Sequence, residues 1–201
     1  MARSKAKSRA KSKPAAKAKP AGKIRSKAAT KRPPARAAAP KPAKRKGIPA
    51  GFGTITAHLV VEGAADAMEF YKRAFGAEEL GRMPMPDGRR LMHGAMQIGD
   101  SMLMLVDAFE EFGVKGPKAL GGTGVTLHLY VPDADKAFQR AIEAGCIVAM
   151  PIADMFWGDR YGKVKDPFGH EWSLATQLRE LSPEEMEAAQ KAAFAAGKPG
   201  S

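Results

Sequence analysis

From residue 48 onward the chain alternates between two hydrophobic periods. Thr56-Ala57-His58-Leu59-Val60-Val61 and Thr126-Leu127-His128-Leu129-Tyr130-Val131 are alternating, β-branched runs with the two-residue period of a strand. Each gives way to helical spacing: Met68, Tyr71 and Phe75 within Ala64–Phe75, then Ala137, Phe138 and Ala141 within Asp133–Ala144. Gly76 and Gly145 follow as C-caps. From histidine to glycine is 18 residues in the first copy and 17 in the second, which marks an internal duplication offset by about seventy residues.

Three short strands are expected after each helix. In the first copy they cover Glu78–Met85, Leu91–Ile98 and Ser101–Asp107, divided by turns at Pro86-Asp87-Gly88 and Gly99-Asp100. In the second they cover Cys146–Ala153, Arg160–Lys165 and Glu171–Thr176, with a turn at Asp166-Pro167-Phe168-Gly169. The fold class is therefore α+β, one domain over residues 51–178 built from two β-α-β-β-β modules, 54–107 and 123–177. The glycine-rich stretch Ala108–Gly122 reads as a connecting loop. Ser182-Pro183-Glu184-Glu185 forms a capping box with Pro at the first helical position. It opens a helix over 182–196 with a modest stripe of Met186, Ala189, Ala193 and Phe194, expected to pack on the domain or on a dimer partner.

Charge divides the chain further. The 201 residues carry 33 Lys and Arg against 21 Asp and Glu, a net of +12. Residues 1–47 hold 18 of those cations and no acid, so the remainder holds 15 cations and all 21 acids, a net of −6. With almost nothing apolar to bury and repeated prolines, residues 1–47 are predicted to be a disordered basic tail. Closely spaced cations such as Lys5, Lys7, Arg9, Lys11, Lys13, Lys17, Lys19, Lys44, Arg45 and Lys46 suit salt-sensitive, sequence-independent contact with DNA, RNA or polyphosphate. The tail is similar to the Lys/Ala/Pro-rich tails of linker histones. Its alternatives are a solvated tail or a presequence, although it lacks the bulky apolar residues of an amphipathic targeting helix. Single Cys146 excludes an internal disulfide, and no apolar run is long enough for a membrane span, so a cytoplasmic location is expected, with nucleoid association as the alternative and no membrane partner.

The two modules, together with Phe70-Tyr71-Lys72-Arg73-Ala74-Phe75-Gly76-Ala77-Glu78-Glu79 and the run FWGDRYGKVKDPFGHEWSLAT at Phe156–Thr176, resemble the vicinal oxygen chelate superfamily. That group includes glyoxalase I, fosfomycin- and bleomycin-resistance proteins and extradiol dioxygenases. The likeness points in particular to its PhnB-like glyoxalase/bleomycin-resistance branch. It implies that the modules pair their sheets into a cup, often completed by a homodimer, that binds a small molecule. In metal-dependent members the cup holds a divalent ion, here Zn, Ni, Mn or Fe, which chelates substrate oxygens for lyase, isomerase, transferase or dioxygenase chemistry. His58, His128 and Glu171 are the candidate ligands, with the repeat expected to bring the two histidines together. The family's ligand positions themselves fall on Thr56, Thr126 and Ser173, with Met104 on the matching strand of the first module. No carboxylate occupies the fourth place.

Thr56, Thr126, Met104, Trp157, Arg160, Tyr161 and Ser173 are thus candidate pocket residues, and no catalytic residue is assigned. The competing readings are a polar-lined apolar pocket without metal, as in a non-catalytic sequestering protein, or a ligand binder tethered to nucleic acid by its tail. Asp159 and Arg160 either orient a ligand at the cup's mouth or fasten their loop. Met83, Met85, Met92, Met96, Met102 and Met104 either line the cup or fill the core. His170 is expected to be exposed and the Cys146 thiol buried.

Overall fold

The computed structural model describes residues 47–197, so the basic segment of residues 1–46, with every cation proposed to contact nucleic acid, lies outside the described residues. The first module runs β1 (Ala57–Val61), α1 (Ala64–Phe75), β2 (Glu78–Pro84), β3 (Leu91–Ile98) and β4 (Ser101–Asp107). The connection is more ordered than the expected loop. Phe109 bridges Val114 around a 3-10 turn at Glu110–Phe112, and the short α2 (Pro117–Leu120) follows. The second module runs β5 (Thr126–Tyr130), α3 (Ala134–Ala144), β6 (Ile147–Asp154), β7 (Asp159–Lys165) and β8 (Glu171–Gln177). A final helix, α4 (Pro183–Ala195), carries the expected capping box between Ser182 and Glu185, yet none of its residues is buried.

Each module makes one four-stranded mixed sheet, ordered β1-β4-β3-β2 and β5-β8-β7-β6. First and last strands pair in parallel, and the other pairs are antiparallel. The period of two then fixes two faces per sheet. Leu59, Val61, Leu103 and Leu105 of the first sheet, with Val164, Trp172 and Leu174 of the second, face the helices and are buried. The helix faces of both sheets join a single core.

Duplication is visible in the scaffolding as well as in the topology. The last strand of each module caps its helix from a distance. Asp107 Oδ1 accepts from the Gly63 and Ala64 amides at 2.8 and 3.0 Å, and Thr176 Oγ1 accepts from the Ala134 amide at 2.8 Å. Each third strand carries a glycine beneath the helix. A Cβ on Gly94 would lie 2.7 Å from Met68 Sδ, and one on Gly162 would lie 2.8 Å from the Phe138 ring. Removing one side chain at these two places lets each helix sit close on its sheet.

The modules join through their helices. α1 packs on α3, and Phe70, Tyr71 and Phe75 meet Phe168 and Trp172 of the second module, with the Phe75 and Trp172 rings 4.2 Å apart. At the centre lies buried Asp166. Its Oδ2 accepts from Tyr71 Oη at 2.8 Å and Trp172 Nε1 at 2.9 Å, while its Oδ1 accepts from the Phe168 and His170 amides, both at 2.9 Å. His170 is correspondingly buried, not exposed, because its ring reaches back to within 3.2 Å of the Val60 carbonyl. Cys146 is buried as expected. With the helices and aromatic core between them, the sheets meet through their helix sides. Their other faces are left open.

Candidate functional site

The open face of the first sheet is built in rows across the strands. His58 stands beside Met104 and Ala95, flanked by Val60, Met102, Val106 and His93. The His58 and His93 rings meet edge-on at 6.2 Å. Burial, and secondarily the neighbouring His93, hold the His58 imidazole below its usual pKa, which favours the neutral ring. The methionines divide between two roles. Met102 and Met104 line this face, whereas Met96 turns the other way and is fully buried beneath the helices. Met83 and Met92 are exposed.

The corresponding face of the second sheet is aromatic at one end and ionic at the other. Its successive rows are Thr126, Glu171, Lys165 and Ile147; His128, Ser173, Lys163 and Met150; and Tyr130, Ala175, Tyr161 and Ala153, with Asp159 beside Gln177 beyond them. At the ionic end Lys163 Nζ is 2.7 Å from Glu171 Oε2, and this ammonium holds the glutamate below the usual carboxylate range. At the aromatic end the His128 and Tyr161 rings are nearly parallel, 5.9 Å apart at 21°. Tyr130 meets His128 edge-on at 4.5 Å, and Trp157 meets Tyr161 edge-on at 5.5 Å. Beneath the rings lies Asp159, 4% exposed, whose Oδ2 accepts from Tyr130 Oη and Trp157 Nε1, each at 3.1 Å. Burial first, and this carboxylate second, push the Tyr130 phenol upward. His128 Nδ1 lies 2.7 Å from Ser173 Oγ, and burial holds its imidazole below 6.5 against the opposing pull of Asp159.

The turn that presents Trp157 and Asp159 depends on Gly158. Its φ of +98° belongs to glycine, and a Cβ there would fall 2.6 Å from the Arg179 carbonyl. The Gly158 carbonyl accepts from the Leu178 and Arg179 amides, which fastens the turn to the chain leaving β8.

Not all sequence-chosen residues come together. Thr126, His128, Trp157, Tyr161, Ser173 and Glu171 share the second open face. His58 and Met104 lie on the first sheet, with Thr56 just ahead of β1. Arg160, one residue out of phase with Tyr161, points to the opposite side. There it pairs with Asp135 at 2.8 Å and Asp154 at 3.1 Å in a cleft of about 400 Å³. Asp107, the carboxylate nearest the missing ligand position, faces the helix and serves as its cap. The reading that the repeat brings His58 and His128 together does not hold within one chain, because they occupy different sheets. Their ring partners are His93 in one case and Tyr130 and Tyr161 in the other. Among the described residues no group of three His, Cys, Asp or Glu side chains is placed to hold a metal. Donors divided in this way, with Glu171 already paired to Lys163, do not fit a divalent ion within a single chain, and no chemical step is derived through one. No helix among the described residues is long and apolar enough to cross a membrane.

Tyr130 is absent from the sequence-based candidates for this face, and Asp159 enters them only beside Arg160, as a residue that orients a ligand or fastens its loop. Their signal was present, since strand alternation from Tyr161 and His128 places both on the same face. Arg160, although adjacent to Tyr161, falls on the opposite face by the same alternation, beside Thr176.

Comparison with known proteins agrees with this architecture. Residues 51–174 match the family model described as Glyoxalase/Bleomycin resistance protein/Dioxygenase superfamily. The uncharacterized protein Rv0887c of Mycobacterium tuberculosis is 50% identical over 138 residues, which cover 67% of this chain and 81% of that protein. The solved structure of the Arabidopsis thaliana At5g48480 product superposes with a TM-score of 0.52 at 32% identity, covering 62% of this chain and 98% of that one. TioX from Micromonospora sp. ML1 superposes with a TM-score of 0.50 at 28% identity, covering 63% and 100%.

Proposed function

We propose a function from one premise: this chain belongs to the Glyoxalase/Bleomycin resistance protein/Dioxygenase superfamily. Its role is to bind a small organic molecule on the open face of the second sheet, inside a cup completed by a second copy of the chain. One observation carries the reading. The sheets are joined by their helix sides, so neither open face covers the other in the same chain, although each presents ligand-type side chains. In the dimer the His58, Met102 and Met104 face of one copy lies over the His128, Tyr130 and Tyr161 face of the other. Methionine supplies an adaptable apolar wall and the aromatic rings a flat one. Sequestration is preferred to metal-assisted lyase, isomerase or transferase chemistry, because the imidazoles and Glu171 have other partners.

Sedimentation equilibrium tests the cup. The wild-type chain should be a dimer. Met104→Glu, which places a charge on the first open face, should give a monomer with an unchanged circular dichroism spectrum. A monomeric wild type, or a variant that dimerises as before, overturns the shared cup. Elemental analysis of wild type, His58→Ala and His128→Ala tests the chemistry. Equimolar metal in wild type that both variants lose would favour a metal enzyme with a site assembled across the dimer.

A second role is carried by the 18 cations and absent acids of residues 1–47. This segment is proposed to hold the protein on nucleic acid or polyphosphate by counterion release. DNA affinity should fall steeply with salt for the full chain and should be largely lost when residues 1–47 are removed. Equal affinity for both forms would refute the role.

A further inference from the structure

The aromatic end of the second open face contains a carboxylate with no counter-charge among the described residues. Asp159 is 4% exposed, and among the described residues the donors to it are two neutral groups, both on Oδ2: the Tyr130 hydroxyl and the Trp157 indole. Oδ1 accepts no hydrogen bond within the described chain. No side-chain oxygen or nitrogen sealed from solvent is left without a partner there, so Oδ1 retains some contact with solvent. Two cations of the same strand are committed elsewhere. Arg160 is turned to the other side of the sheet with Asp135 and Asp154, and Lys163 is paired with Glu171. His128 feels the Asp159 charge, but burial favours its neutral form. A buried carboxylate held only by neutral donors is costly unless a cation joins it. Four rings stand around this carboxylate: His128, Tyr130, Trp157 and Tyr161. Aromatic faces attract flat ring systems by stacking and attract positive charge through their quadrupoles.

We propose that this cluster is a receptor for a planar organic cation, a protonated or quaternised aromatic amine, that stacks on Tyr161 and His128 and places its positive charge toward Asp159. The proposal rests on the small-molecule reading above and narrows its ligand class by charge and shape. Neutral His128 is part of the design, because an imidazolium would repel the incoming cation. Groups facing this cluster from neighbouring strands are Tyr130 on β5, Tyr161 on β7, and Ser173, Ala175 and Gln177 on β8, none of which supplies a competing cation.

Three bicyclic probes of similar size separate the outcomes by isothermal titration of the full-length protein at neutral pH: N-methylquinolinium, 2-naphthalenemethanol and 2-naphthoate. The cation should bind about tenfold or more tightly than the neutral probe, and the anion weakest, as expected for a cation held over rings beside a partly desolvated carboxylate. Asp159→Asn keeps acceptors for Tyr130 and Trp157 and should abolish the preference while retaining stacking. Tyr161→Ala should weaken all three probes. Equal binding of cation and neutral probe, or a preference that survives Asp159→Asn, overturns the charge assignment but leaves the pocket reading intact. If no probe binds, or Tyr161→Ala changes nothing, the small-molecule reading of this face falls with it.

Discussion

Tyr71→Phe is a clean perturbation of the contact between the modules. Tyr71 is fully buried on α1, and its hydroxyl donates to Asp166 Oδ2 at 2.8 Å across the module boundary. Phenylalanine keeps the ring contacts with Phe75, Phe168 and Trp172 and removes one oxygen. A hydrogen bond to a charged acceptor contributes about 1.5–3 kcal/mol, and the carboxylate keeps three other donors, so the loss should be about 2 kcal/mol. Asp166→Asn should cost more, about 3 kcal/mol. An amide nitrogen faces the Trp172 donor in one orientation and two backbone donors in the other. Because Asp166→Asn turns the charge-assisted Tyr71 bond into a weaker neutral one, adding Tyr71→Phe to it should cost clearly less than it does alone. Urea unfolding of the full chain measures all three, with the slope unchanged if the two modules unfold as one unit. A pH series adds an independent reading. Burial raises the Tyr71 phenol well above 10.0 in the fold, so its contribution is intact below pH 10 and is lost as pH rises beyond that value. Tyr71→Phe should remove this alkaline loss. A variant within about 0.5 kcal/mol of wild type, or additive costs in the double variant, would refute the clasp.

The paired glycines beneath the helices should respond unequally. Gly94→Ala meets the flexible end of Met68 and should cost about 1 kcal/mol, whereas Gly162→Ala meets the Phe138 ring and the Ile152 backbone at 3.0 Å and should cost about 3 kcal/mol. Equal thermal shifts would contradict the close-approach account. In proton NMR, His128 should titrate below 6.5 and move lower still in Asp159→Asn, because the carboxylate raises it. Since folding favours the neutral ring, its contribution is complete above 6.5 and fades as pH falls through the lower folded value. Upward movement in the variant would show that Asp159 does not act on this ring. Cys146, 5% exposed and with its thiol pushed up to about 12 by burial, should react with a disulfide reagent only as fast as the protein opens. Rapid labelling of the native chain would show otherwise.

Most of the fold was legible because two local signals repeat. Strand alternation and helix spacing occur twice with matching caps, and the observed elements start and stop within a residue or two of the expected ones. The connection was less legible, since Phe109 pairing with Val114 and the turn of α2 arise from contacts that composition does not announce. The site was legible only in part. His128, Tyr161, Trp157 and Ser173 share a face, as alternation requires, but the fate of each carboxylate is a tertiary matter. Asp107 became a helix cap, Asp166 the link between modules, Glu171 a lysine partner and Asp159 the carboxylate under the rings. Four acids on or beside the strands acquired four roles from what the rest of the chain brought beside them.

The repeat is therefore preserved where it builds the scaffold and divergent on the open faces where a ligand is proposed to sit. Matching rows show this directly. His58 stands beside Met104 in the first module, and His128 beside Ser173 in the second, positions equivalent in register. Beneath them the capping residues and glycines perform the same tasks in both halves. A symmetric site would need both open faces to carry matching donors, yet one face is thioether and aliphatic with two imidazoles, and the other aromatic with a buried acid. Such faces complement each other better than either complements itself. Two chains related by a twofold axis would then form two equivalent cups, each with one methionine wall and one aromatic wall. Exchanging the His58 row for the His128 row should accordingly abolish the proposed ligand binding while leaving the core intact, because the proposed binding residues and the core residues lie on opposite faces of the same strands.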